Sequence, residues 1–71
     1  MNLKNYVQYL GWGTRDLARH AGVNDRTAAK ALRGDVIRPW VAQRIAAALS
    51  AALETKVQPG DIEDLNIDRK S

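Results

Sequence analysis

Charged side chains recur at helical spacing over residues 25–33, DRTAAKALR. On a helix formed by this stretch, Ala28, Ala31 and Leu32 make one inner stripe. The side chains that project from the other faces are those of Asp25, Arg26, Ala29, Lys30 and Arg33. Guanidinium and ammonium groups carry positive charge and several hydrogen-bond donors, so the chemistry they offer is the binding of anions. The alternative interpretation is a solvated helix face without a ligand.

The charge of the chain is unevenly distributed. Residues 1–44 hold eight basic and three acidic side chains, a balance of +5, whereas residues 45–71 hold three basic and five acidic ones, a balance of −2. A basic part with a mildly acidic remainder is what a polyanion-binding domain presents. Small soluble proteins also often carry uneven charge, so this distribution supports polyanion binding only when a motif accompanies it.

The residues of a catalytic site are missing from the sequence, and we predict that the protein is not an enzyme. The chain has no cysteine, which excludes a thiolate nucleophile, a disulfide and a thiolate metal site. A catalytic or metal-binding role for His20, the only histidine, would need partner residues that the sequence does not offer. The carboxylates of Glu63, Asp64 and Asp68 do not have the spacing of a calcium loop. We therefore expect no cofactor, no metal and no small-molecule ligand.

Two short helices joined by a tight turn are predicted over residues 14–34. Leu17 and Ala18 face inward on the first helix, and a small residue at Ala18 suits a close crossing of two helices. Gly22 follows where the chain must turn with positive φ, which glycine adopts without a Cβ clash. Asn24 then offers a side-chain acceptor to the free N–H groups of the next helix. This arrangement is a helix-turn-helix.

The stretch resembles the helix-turn-helix of bacterial and phage repressors, both of the lambda-repressor-like (Xre/Cro) group and of the lac-repressor family. The residues that carry the resemblance are Leu17-Ala18, Ala21-Gly22-Val23, Thr27 and Ala31-Leu32. Ala28 departs from the pattern, because these families usually place Val or Ile there. A helix before the motif and the segment RPWVAQRIAAAL after it favour the lambda-repressor-like group. The resemblance implies an all-α fold, a compact four- to five-helix bundle.

The resemblance also implies that helix 24–33 reads the major groove of duplex DNA. The residues that would face base edges are Asp25, Arg26, Ala29 and Lys30. Arg26 and Lys30 have donors for guanine O6 and N7. Asp25 would accept from cytosine N4 or hold Arg26 in place, and Ala29 would meet a thymine methyl group. The residues that would contact phosphates are Thr14, Arg15, Asn24, Thr27, Arg33 and Arg38.

The N-terminal part of the chain is predicted to support the motif. The apolar residues of a first helix over residues 2–10 are Leu3, Tyr6, Val7 and Leu10. Trp12 follows in a short connector, and we expect it to pack under the helix-turn-helix. Thr14 is the expected N-cap of the next helix.

The C-terminal part begins with a fourth helix over residues 40–53, because Pro39 suits a first helical turn. Trp40 is interpreted as a core or interface residue rather than a DNA contact. Residues 54–71 are predicted to form a break, a short fifth helix over residues 62–65 capped by Asp61, and a frayed end over residues 68–71. The apolar residues expected at a homodimer contact are Leu53, Ile62, Leu65 and Ile67.

The expected function is that of a sequence-specific double-stranded DNA-binding transcriptional regulator, acting as a repressor of phage or mobile-element type. A single domain over residues 1–71 would bind DNA as a homodimer. Neither an apolar run of ~20 residues nor a signal-peptide pattern is present, so a cytoplasmic, nucleoid-associated protein without membrane contact is expected. The alternatives are a protein-interaction module of the same fold, antitoxin-like or anti-repressor, and a recombination or architectural accessory factor that binds DNA.

Overall fold

A computed structural model describes residues 1–68, in which four α-helices are accompanied by short extended segments. The helices are α1 (Leu3–Leu10), α2 (Thr14–Ala21), α3 (Asp25–Arg33) and α4 (Pro39–Leu53). The strands are β1 (Val36–Ile37) and β2 (Asn66–Ile67), and a single 3₁₀ turn covers Pro59–Asp61. The prediction of four helices and of a mainly α-helical small domain is confirmed. In the part of the chain described, no helix has the length and hydrophobicity to cross a lipid bilayer.

The start of α2 differs by one residue from the prediction. Gly13, not Thr14, is the N-cap residue. Asp16 explains the shift, because its carboxylate reaches back from the third helical position and its Oδ2 accepts a hydrogen bond from the Gly13 N–H at 3.0 Å. Thr14 is therefore the first helical residue, and its side chain is exposed.

The turn between α2 and α3 has the predicted geometry. Gly22 adopts φ +73° in the left-handed region, where it ends α2. The side chain of Asn24 then accepts a hydrogen bond from the Thr27 N–H at 2.7 Å and caps α3. The two ends fix how the axes of α2 and α3 cross.

The core lies where α2, α3 and α4 meet. Its largest fully buried side chains are Leu3, Leu17, Ile45 and Leu49. The residues between α2 and α3 are small: Ala18, Ala28 and Ala31 are all buried. Small side chains let two helix backbones approach closely, so the alanines allow the tight packing of α3 on α2. The prediction that Ala28 and Ala31 face inward is confirmed, and Leu32 is half-buried.

The predicted fifth helix over residues 62–65 is wrong. The carboxylate of Asp61 accepts from the Gln58 N–H at 2.9 Å, so it closes the 3₁₀ turn before it rather than opening a helix after it. Asp64 is held by another element, because its Oδ1 accepts from the Leu3 N–H at the start of α1, at 2.7 Å. The Leu65 N–H donates to the Ile62 carbonyl at 3.4 Å, so this segment makes a turn rather than a helix.

The chain then runs in an extended conformation, which makes the all-α prediction wrong in this segment. The strands β1 and β2 pair in parallel, with Val36 opposite Asn66 and Ile37 opposite Ile67. The Asp68 N–H extends the pairing by donating to the Ile37 carbonyl at 2.8 Å. The two-stranded sheet ties the C-terminal segment to the chain between α3 and α4. The rest of the predicted frayed end, residues 69–71, lies outside the described residues.

The apolar residues predicted for a dimer contact belong to the core of the single chain. Ile62 is 3% exposed, so its assignment to a dimer interface is wrong: its own chain already covers it. Leu53, Leu65 and Ile67 are partly buried and pack against the same core. Their hydrophobic surface is thus largely accounted for within the monomer.

Replacing Gly22 with alanine is expected to destabilise the fold by about 1–2 kcal/mol, the cost of a left-handed backbone for a residue with a Cβ. The new Cβ would also lie 3.0 Å from Nη1 of Arg44, which the long side chain can relieve by moving. Urea unfolding monitored by tryptophan fluorescence measures the change. Gly60→Ala is the matched control, because an added Cβ there meets no atom within 4 Å. Equal stability of the two variants would contradict the prediction.

Candidate nucleic-acid interface

Helix α3 presents a polar outer face because its inner face is occupied by α2. Ala28 and Ala31 are buried, whereas Asp25, Arg26 and Lys30 are exposed. All three exposed residues lie in the first two turns of the helix, directly after the turn at residues 22–24. The structure therefore brings three of the four predicted base-reading residues onto one accessible surface.

Ala29, the fourth predicted base-reading residue, lies differently. Its side chain is half-buried and lines a groove between α1 and the second half of α3. Lys4, Trp12 and Thr14 line the other parts of this groove. The Ala29 methyl group is therefore less accessible than the side chains of its charged neighbours.

The N-termini of α2 and α3 are linked by an ion pair. The Nε of Arg15 lies 3.6 Å from Oδ2 of Asp25, and both side chains are well exposed. The prediction that Asp25 holds Arg26 in place is wrong, because the Asp25 carboxylate is directed toward α2. Arg26 takes part in none of the ion pairs within residues 1–68.

Two predicted phosphate contacts have part of their hydrogen-bonding capacity already in use. The Oδ1 of Asn24 accepts from the Thr27 N–H, and its amide NH₂ is the group that can donate to a phosphate. Thr27 itself is half-buried, in the wall of a second groove between α3 and the start of α4. Thr14 and Arg15, in contrast, are exposed at the start of α2.

The remaining two phosphate candidates flank the end of α3 and the start of α4. Arg33 donates from Nε and Nη2 to Oδ2 of Asp35, at 3.2 and 2.8 Å. Arg38 lies beside Asp68, with 3.6 Å between Nη1 and Oδ2. Both guanidinium side chains remain more than half exposed. They stand at the surface, each with a carboxylate neighbour.

Sequence reasoning missed an exposed apolar patch next to these residues. Trp40 is 56% exposed and Val36 is 54% exposed, and both line the second groove together with Lys30 and Arg38. Trp40 is therefore not a core residue. The exposure of Trp40 could have been predicted from the helical spacing of α4, because Trp40 falls outside the stripe of the fully buried residues.

Arg44 has a structural position rather than one in this interface. Its guanidinium carbon lies 5.7 Å from the ring centre of Trp40, a cation–π distance. Its Nη1 also approaches Gly22 at the C-terminal end of α2, where positive charge is favourable to the helix dipole. Arg44 thus connects α4 to the turn between α2 and α3.

Aromatic contacts also support the first connector. Trp12 is half-buried, and its ring stacks on that of His20 with 4.2 Å between centroids and 4° between planes. The expectation that Trp12 packs against the motif is confirmed for this contact with α2. His20 stays exposed at the surface.

The C-terminal carboxylates have individual partners within the chain. Oε1 of Glu63 lies 3.0 Å from the amino group of Met1, and Asp64 accepts from the Leu3 N–H. Among residues 1–68, no three side chains of His, Cys, Asp or Glu lie close enough together to hold a metal ion. The acidic residues therefore serve the attachment of the C-terminal segment to α1 and β1.

Comparison of the chain with protein-family models, with curated proteins and with solved structures yields no match.

Proposed function

We propose that this protein is a sequence-specific double-stranded DNA-binding regulator of transcription, acting as a repressor. The observation that carries the proposal is the exposure of Arg26 and Lys30 on the first turns of α3, while Ala28 and Ala31 on its other face pack into the core. A helix supported in this way enters the major groove with its N-terminal residues toward the base edges.

Two sets of contacts give this surface its affinity and its sequence preference. Arg15, Arg33 and Arg38 displace counterions from phosphates and provide general affinity, which falls as salt rises. Arg26 and Lys30 donate to guanine O6 and N7 and provide discrimination. Repression follows by occupancy, because a protein bound at an operator excludes polymerase from the same DNA.

Selection of binding sites from a randomised duplex library, at near-physiological salt, tests the proposal. We expect enrichment of a guanine-containing motif. Retention of all sequences alike, lost as salt rises, would contradict sequence-specific recognition and would reduce α3 to a charged surface. Gene-expression assays with the enriched motif at a promoter then separate a repressor from an accessory factor that binds without regulating.

The same selection tests the homodimer. A pseudo-palindrome with half-sites about one helical turn apart supports two copies on DNA. A single ungapped half-site supports a monomer. Leu53, Leu65 and Ile67 pack against the core and are only partly buried, so a dimer contact at these three residues stays a prediction.

One observation favours a second candidate function, a protein-interaction module of the same fold. The exposed apolar side chains of Trp40 and Val36 lie together beside the second groove, and a large exposed aromatic residue is typical of protein contacts. Trp40→Ala tests whether this patch takes part in DNA binding. Loss of duplex binding supports a place for Trp40 beside DNA, while unchanged duplex binding leaves the patch free for a protein partner.

A further inference from the structure

Aspartates of the same chain lie beside three of the arginines in the proposed DNA interface. The pairs are Arg15 with Asp25, Arg33 with Asp35 and Arg38 with Asp68, at N–O distances of 3.6, 2.8 and 3.6 Å. Among the ion pairs of residues 1–68, the one outside this set joins the amino group of Met1 to Glu63. Carboxylates are thus concentrated at the arginines that would contact phosphate.

The Arg33–Asp35 contact uses the donors that a phosphate would need. Nε and Nη2 of Arg33 both point to one carboxylate oxygen, at 3.2 and 2.8 Å. The backbone holds Asp35 in place, because Gly34 turns the chain back at the end of α3 and the Asp35 N–H donates to the Lys30 carbonyl at 2.9 Å. A phosphate oxygen binding to this edge of the guanidinium must displace the carboxylate.

Asp68 is held at the second arginine by the sheet. Its N–H donates to the Ile37 carbonyl at 2.8 Å, and Arg38 follows Ile37 directly in the chain. The Asp68 side chain is only 27% exposed, whereas that of Arg38 is 72% exposed. The carboxylate is therefore the less exposed partner of the pair, and the sheet keeps the Asp68 backbone beside Arg38 when that side chain turns to a phosphate.

The arginine and lysine that would read bases are arranged differently. Within residues 1–68, neither Arg26 nor Lys30 takes part in an ion pair. Within residues 1–68, carboxylates therefore lie beside the arginines that would bind phosphate. The side chains that would bind bases form no ion pair there, so their donors are available.

We infer that Asp35 and Asp68 are specificity-determining residues that compete with DNA phosphate for Arg33 and Arg38 and so weaken binding to random sequence. The inference rests on the proposed function. A phosphate that takes the Nε–Nη2 edge of Arg33 must displace the Asp35 carboxylate, and the Asp68 carboxylate beside Arg38 offsets the positive charge that this arginine presents to the DNA backbone. Base contacts then account for a larger share of the total affinity.

Asp35→Asn and Asp68→Asn in the full chain test this competition by fluorescence anisotropy with a labelled duplex of random sequence. Each variant is expected to bind about two- to fivefold more tightly, the range for exposed ion pairs. Glu54→Gln is the control, because it removes the same charge at the end of α4, away from the arginine pairs. Circular dichroism verifies that the variants keep the fold.

A double-mutant cycle separates competition from a change in net charge. If Asp35 acts through Arg33, Asp35→Asn tightens binding less in an Arg33→Ala background than in the unmodified chain, and the same holds for Asp68→Asn with Arg38→Ala. Equal tightening in both backgrounds, or tightening equal to that of Glu54→Gln, would overturn the inference while duplex binding itself stands. Failure of the unmodified protein to bind any duplex would instead overturn the proposed function, and the inference with it.

Discussion

Arg26→Ala is expected to reduce the preference of the protein for its selected duplex over random DNA by roughly 5- to 150-fold. This range corresponds to the 1–3 kcal/mol that a good bidentate contact to guanine contributes to discrimination. The reason lies in its position, because Arg26 is exposed on the second residue of α3 and forms no ion pair within residues 1–68. Parallel titrations of both duplexes at one salt concentration measure the change.

Arg38→Ala is the matched comparison, since it removes the same kind of side chain from the phosphate-contacting set. We expect it to weaken binding to both duplexes by the same factor and to lower the slope of log affinity against log salt concentration by about 0.9. Arg19→Ala removes an exposed arginine from the last turn of α2 and serves as a control outside the interface. Equal loss of specificity in the Arg26 and Arg38 variants would refute the assigned roles.

Helices α2 and α3 and the turn between them were predictable because their determinants are local. Gly22 takes the left-handed turn, Asn24 caps α3 and Ala28 faces inward, and each follows from residue type and spacing within a few positions. The exposure of Arg26 and Lys30 follows from the same periodicity, since the residues that face α2 leave them on the opposite side.

The C-terminal segment was not predictable in this way because its conformation depends on distant residues. The Leu3 N–H engages Asp64 across 61 positions, and the strand at Ile67 pairs with β1. A capping residue followed by IEDL indicates a helix only when the cap accepts from the residues after it, and here the Asp61 carboxylate accepts from the preceding Gln58 N–H. The dimer prediction failed at Ile62 because this residue is buried in the core of its own chain.

The carboxylate neighbours of the arginines also escaped prediction. Arg33 is the last residue of α3, and Asp35 lies two positions later, beyond the helix. Helical spacing therefore does not predict that their side chains meet. Parallel pairing of β1 with β2 brings Arg38 and Asp68 together. Strands of two residues are too short to show a recognisable alternating pattern in the sequence. Spacing therefore identified which arginines reach the surface but not which acids accompany them there.

Leu17→Ala is expected to destabilise the protein by about 2–5 kcal/mol, the range for a large buried aliphatic side chain cut back to a methyl group. Leu17 is fully buried on α2, among the side chains through which α2 contacts α3 and α4. A domain of 71 residues has a small core, and such cores rarely supply more than about 3–5 kcal/mol. The substitution is thus expected to remove most of the stability of the fold.

Thermal and urea unfolding of Leu17→Ala, followed by circular dichroism, measure this loss, and Tyr9→Ala provides the comparison. Tyr9 is 76% exposed on α1, so its truncation is expected to change stability by no more than about 0.5 kcal/mol. Molecules of Leu17→Ala that stay folded still have α3 packed on α2 and should bind duplex DNA. Binding is therefore expected to fall in proportion to the unfolded fraction. A variant that stays folded but no longer binds would show instead that Leu17 sets the position of α3 without determining the stability of the core.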